Sequence, residues 1–197
     1  MQKFLDWLER VLTPLAKVIG ENKYLVAIRD GFLLSTPLLI VGSVFLLIAN
    51  FPLPQWDTWM SHLLGKDWAT MMSVPASASF DVMTILAVVG IAYSLGKQFN
   101  VDAMQAGIIA LVSFFIVTPY QTLFTPENSS KVYEVTSLPL KWMGSSGLFL
   151  GMIVALIATR LFVAIVRKGW TIKMPEGVPP TVVKSFEALI PSFLVVT

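Results

Sequence analysis

From Phe32 to Ala49 the chain runs for eighteen residues without a charge, built almost wholly from Leu, Ile, Val, Phe and small residues. A helix rises about 1.5 Å per residue and the hydrocarbon core of a bilayer is about 30 Å thick, so a span takes about 20 mainly apolar residues. Three further stretches approach that length: about Ser77 to Leu95, Ala103 to Tyr120, and Leu148 to Val166. A fifth apolar run begins near Phe186, and from Ala188 ten residues remain, about 15 Å of helix. The expectation is an all-α integral membrane protein with four complete transmembrane helices plus a truncated fifth. Composition agrees, since only 13% of the 197 residues are charged against about 25% in an average soluble domain. An ordinary soluble enzyme and a disordered chain are both excluded.

Other chemistry is closed off by what the chain lacks. Without cysteine there is no disulfide, thiolate metal site, cysteine nucleophile or phosphocysteine on this chain. The single histidine, His62, has no second histidine or carboxylate pair at ligand spacing, so neither a metal nor a cofactor is expected. The basic residues are scattered and the net charge is +2, which is no footprint for nucleic acid.

Residues 1–21 differ in kind from the spans. Phe4, Leu5, Leu8, Val11, Leu12, Leu15 and Ile19 recur at three-and-four spacing, with Lys3, Asp6, Arg10 and Lys17 opposite. That pattern predicts an amphipathic helix on the membrane surface, bent or divided at Pro14.

Loop charges then set orientation. Five bases precede the first span, and Arg167, Lys168, Lys173 and Lys184 follow the fourth. The positive-inside rule places both groups in the cytoplasm. Outer loops are expected near residues 50–76 and 121–143, and inner ones near 96–102 and 167–184. Trp56, Trp59 and Trp68 then lie in the first outer loop. Asp81 falls near the outer start of the second span, at the positive end of its dipole. Arg160 precedes Arg167 by one heptad and can snorkel to the cytoplasmic interface.

Two features stand out beyond the spans. Gly147 and Gly151 form a GxxxG step that Ala155 and Thr159 continue along the fourth span. Small side chains let helices approach closely, and the stripe is open to two readings, packing within the chain or contact between subunits. The inner loop carries Pro175, Glu176, Gly177, Val178, Pro179 and Pro180, three prolines and a glycine in six residues. Such a segment is stiff, because proline fixes φ and has no amide donor. It is a candidate docking, gating or coupling element. Nothing here has the pattern of a catalytic triad, a phosphate-binding loop or a paired-carboxylate site.

Met174 to Pro191 resembles the MPxGVPPAVxxSFxALIP signature of the cellobiose/lactose/chitobiose EIIC permeases of the bacterial sugar phosphotransferase system (PTS). Thr181 stands where that family usually has alanine. Ala27-Ile28-Arg29-Asp30-Gly31-Phe32, Pro37-Leu38, Ile40-Val41-Gly42-Ser43 and Gly147-Leu148-Phe149 are similar to it as well. The resemblance implies a permease in the bacterial cytoplasmic membrane that takes up a β-linked disaccharide coupled to its phosphorylation, and the loop charges put its N-terminus inside. Implied partners are EIIB and, through it, EIIA, with a second copy of the chain as a homodimer. The chain is by itself no enzyme, since the phosphoryl-transfer residue sits on a partner. Residues 22–197 are the expected N-terminal dimerisation and scaffold half. The sugar site is expected in the C-terminal half, so no substrate-binding residue is carried over. A stand-alone membrane scaffold that dimerises without transporting is the alternative.

Overall fold

Inside a bilayer, helices gain little by hiding apolar surface from one another, so close packing through small residues decides how they meet. Helix α1 (Lys23–Ala49) shows this directly, because its buried residues are Ala27, Gly31, Ser35 and Gly42. Its larger side chains, such as Leu33, Leu34, Leu38 and Leu47, face outward. The helix starts at Asn22, whose carboxamide oxygen accepts from the amides of Tyr24 and Leu25 and so satisfies two orphan donors. The structure is a computed structural model and describes residues 10, 13, 17, 20–126, 131–175 and 177–197. Most of the expected amphipathic helix over residues 1–21 lies outside the described residues.

After α1 come α2 (Trp56–Leu64), α3 (Trp68–Phe80), α4 (Met83–Gln98) and α5 (Ala103–Val117). An exposed antiparallel hairpin follows, β1 (Gln121–Phe124) with β2 (Tyr133–Thr136), in the register Gln121 opposite Thr136. Then come the short helix α6 (Leu140–Met143), a 3₁₀ turn (Ser145–Gly147), α7 (Leu148–Arg167), α8 (Pro180–Glu187) and α9 (Leu189–Val196). Helix α4 is the axis of the bundle and packs on α1, α5 and α7. Its Ala87, Val88, Ile91 and Ala92 are buried with Ala110 and Phe114 of α5 and with Ala155 and Ala158 of α7.

Three helical stretches are long and apolar enough to cross a membrane: Lys23–Ala49, Trp68–Gln98 and Ser145–Arg167. Ala103–Val117 is apolar but has 15 residues, roughly 22 Å. The lengths therefore support three of the four expected complete spans. The apolar run expected as a truncated fifth is divided at Ala188 between α8 and α9.

The second span starts earlier than its composition suggested. Residues 68–76, expected in an outer loop, are helical, and only Asp81 and Val82 separate α3 from α4. Pro75 sits inside α3, a placement that membrane helices tolerate. Trp68 is not an interfacial indole, since it is 2% exposed and its Nε1 donates to Asp57 at 3.0 Å. Asp81 is the C-cap of α3, its amide donating to Ser77 at 2.9 Å. The carboxylate thus stands between the negative end of one helix and the positive end of the next.

Candidate functional site

The proline-rich segment is where the chain departs most from bilayer logic. Among the described residues the backbone after Lys168 is non-helical as far as Pro179, and Gly177 has a φ of +101°. Nothing lies within 4 Å of a Cβ built on Gly177, so the backbone conformation by itself calls for glycine. Pro175 is exposed and Val178 half-buried, while Glu176 lies outside the described residues. Pro179 is the N-cap of α8 and Pro180 its first residue. There the missing amide costs nothing, because a first-turn donor has no partner in the helix anyway. The prolines expected to hold an irregular loop through residue 184 instead launch a helix at 180.

Helix α8 is fastened to the turn between α4 and α5. Lys184 Nζ stands 3.3 Å from Asp102 Oδ2, and Asp102 Oδ1 accepts from the amides of Met104 and Gln105 at 3.1 Å each. One carboxylate thus caps α5 and holds α8. Burial pushes the Asp102 carboxyl up, but the Gln105 amide, the Lys184 ammonium and the Met104 amide together outweigh it, so its pKa lies below the ordinary value. Beneath this pair Ala188 packs with Ala106, Ile109 and Phe162. A cavity of about 150 Å³ remains between Asp102, Phe162, Thr171, Lys184 and Glu187.

These geometries separate two roles of one side chain. Asp102→Asn keeps an N-cap acceptor and loses the charge, whereas Asp102→Ala loses both. Asp102→Ala is expected to cost about 1 kcal/mol more than Asp102→Asn, the worth of a cap, read as thermal unfolding in detergent. Because the folded pKa is depressed, the stabilisation is present above the ordinary carboxylate pKa and is lost as pH falls through the folded value. Hydrogen exchange of residues 182–188 in the wild type is therefore expected to stay slow at mildly acidic pH and quicken only below that range. In Asp102→Asn this acid-induced step disappears.

The small-residue candidates on α7 meet their own chain. Gly147 lies in the 3₁₀ turn, and a Cβ there would collide with the carbonyl of Trp142. A Cβ on Gly151 would come within 2.7 Å of Thr84 Cγ2 and 2.8 Å of Val88 Cγ2. Ala155 is fully buried in the core with α4. Sequence reasoning missed a second set of close approaches. A Cβ on Gly31 would sit 2.5 Å from the amide nitrogen of Ile91, and one on Gly90 would sit 2.5 Å from the carbonyl oxygen of Gly31. The signal was available in the Ala27, Gly31, Ser35, Gly42 stripe of the first span. The Asp102–Lys184 pair was missed as well, and nothing local in the sequence points to it.

Long apolar helices joined through glycine and alanine, with a proline-launched helix clasped to one end, make this a multi-helix membrane protein. The family model described as "Phosphotransferase system, EIIC" matches residues 29–197. The chain is 43% identical over 192 residues to the PTS system cellobiose-specific EIIC component of Geobacillus stearothermophilus, covering 97% of this chain and 43% of that protein. It is 42% identical over 197 residues to the lichenan permease IIC component of Bacillus subtilis (strain 168), covering 100% and 44%. Its structure matches the crystal structure of the transporter ChbC, the IIC component of the N,N'-diacetylchitobiose-specific phosphotransferase system, with a TM-score of 0.89 and 43% identity. That match covers 96% of this chain and 44% of the other. The chain belongs to the PTS EIIC family, and it spans less than half the length of these relatives.

Proposed function

We propose that this chain is the N-terminal scaffold half of a sugar permease that takes up a β-linked disaccharide of the cellobiose type, coupled to its phosphorylation. The observation that carries this reading is the fold match at a TM-score of 0.89 over 96% of the chain to a chitobiose-specific component. The relatives named for cellobiose and lichenan agree with it. The phosphoryl group comes to the sugar from EIIB, itself charged by EIIA. Support for the pairing with EIIB comes from relatives named as lactose-specific EIICB components. In this reading the N-terminus is cytoplasmic, two copies associate through this half, and residues 175–180 couple it to the sugar-binding half. With Gly151 covered by α4, the outward Leu33, Leu34, Leu38, Val41 and Val44 face of α1 is one surface open to a second copy.

The test is complementation. The chain is co-expressed with the C-terminal remainder of the Geobacillus cellobiose component in cells that lack an EIIC but hold its EIIB and EIIA. Phosphoenolpyruvate-dependent cellobiose uptake is expected with both pieces and with neither piece singly. Saturable cellobiose binding by the purified chain would overturn this division of labour. Dimer without uptake in the complemented cells would favour the stand-alone scaffold.

A further inference from the structure

Phe99, at the C-cap of α4, is ringed by cations. Lys23 Nζ stands 4.9 Å from the ring centre, and the guanidinium carbons of Arg160 and Arg167 each stand 5.2 Å from it. Three positive charges drawn from α1 and α7 therefore lie within a few ångströms of one side chain. Among the described residues the ion pairs are Lys17–Glu21, Arg29–Asp30 and Lys184–Asp102, so none of the three has a carboxylate partner. The ring face and the carbonyls at the end of α4 offset part of their mutual repulsion. Arg167 Nη2 donates to Phe99 O at 3.2 Å, and Lys23 Nζ to Gln98 O at 3.5 Å. These bonds use one of the five donors of Arg167 and one of the three of Lys23. Among the described residues Arg160 donates no hydrogen bond. The cluster has charge and donors to spare, and a phosphate answers both needs.

Depth and surroundings select the source of that phosphate. Arg160 lies seven residues before the end of α7, about 10 Å inside the helix. It follows Ile157 by three residues, Ile153 by seven and Phe149 by eleven, and all three are exposed. The cation therefore belongs to the outward apolar stripe of α7. Tyr24 and Trp170 are exposed at the same end, as in an interfacial aromatic belt. Arg160 thus roots one cation of the cluster in the apolar stripe, and a headgroup whose acyl chain lies along Ile153 and Phe149 meets the cations and the stripe together, as a soluble anion does not.

We propose that Lys23, Arg160 and Arg167, gathered around Phe99, bind the phosphate of an anionic phospholipid whose acyl chain lies along the apolar stripe of α7. The site ties α1 to α7 over the end of α4 at the bilayer interface.

The experiment titrates the purified chain in detergent with dioleoylphosphatidylglycerol, with dioleoylphosphatidylcholine as zwitterionic comparator, and counts bound lipid by native mass spectrometry. Phosphatidylglycerol is expected to bind the wild type. Arg160→Gln and Arg167→Gln are each expected to weaken it about fivefold, in line with the worth of one base near an anionic surface. Lys141→Gln, with the same loss of charge at the far end of α7, leaves it unchanged, and binding of phosphatidylcholine does not respond to any of these changes. Millimolar inorganic phosphate is expected to leave the lipid bound. Should Arg160→Gln fail to fold, Lys23→Gln at the exposed start of α1 carries the same expectation. Equal retention of phosphatidylglycerol by the folded variants and the wild type overturns the proposal. So does displacement of the lipid by inorganic phosphate, which would assign the cluster to a free anion.

Discussion

A single methyl group at Gly90 is expected to force α1 and α4 apart. The Cβ of Gly90→Ala would sit 2.5 Å from the carbonyl oxygen of Gly31 and 3.1 Å from its Cα. Those are backbone atoms in the middle of a helix, and no rotamer change relieves the clash. The contact is reciprocal, since a Cβ on Gly31 meets the amide nitrogen and Cα of Ile91 at 2.5 and 2.6 Å. Overpacking of this kind costs about 3 kcal/mol at the upper end of the usual range. For a chain of this length that lowers the melting temperature by roughly 6–12 °C. Gly20→Ala is the control, because nothing lies within 4 Å of a Cβ there. Thermal unfolding in detergent, followed by tryptophan fluorescence, checks both. Equal melting temperatures for Gly90→Ala and Gly20→Ala would show that α1 and α4 do not meet at this point.

The same positions show what the sequence made legible. The long charge-free runs announce membrane helices because the thickness of a bilayer fixes the number of residues, and Lys23–Ala49 and Ser145–Arg167 contain the predicted cores of their spans. Boundaries were less legible. Ser, Thr and Pro near residues 70–77 look like a loop in isolation, and only packing against α1, where a Cβ on Gly42 would meet Ser79 at 2.6 Å, explains why they are helical. Small residues at four-residue spacing signal a close helix contact without naming the partner. The stripe on α7 meets α4 within the chain, and the stripe on α1 carried the same signal at Ala27, Gly31 and Ser35. Prolines are ambiguous in the same way, since one that ends a helix and one that begins it differ only in the residues on their C-terminal side. Asp102 and Lys184 are 82 positions apart, and no local pattern selects one partner for the other. The cations around Phe99 belong to that class too, because a heptad places Arg160 and Arg167 on one face but not above a ring from another helix.

The proline-rich segment yields the sharpest functional expectation. In the permease reassembled with its C-terminal half, Gly177→Val is expected to lower the initial rate of cellobiose uptake about five- to thirty-fold, with the amount in the membrane unchanged. A non-glycine residue held in left-handed backbone costs about 1–2 kcal/mol, which is that factor in the population of the native loop. Since nothing lies within 4 Å of a Cβ at Gly177, the strain is local to the backbone of the loop and the Cβ does not press on the packed bundle. Gly65→Val supplies the comparison, because Gly65 has a φ of +93° and equally open surroundings. The two substitutions impose the same kind of backbone strain, one beside α2 and the other just before α8. If residues 175–180 couple the scaffold to the sugar site, uptake falls for Gly177→Val and holds for Gly65→Val. Equal loss in both assigns the effect to strain in general. Full uptake in both leaves the segment as a stiff connector between α7 and α8, with the Asp102–Lys184 pair holding α8 in place whatever the loop does.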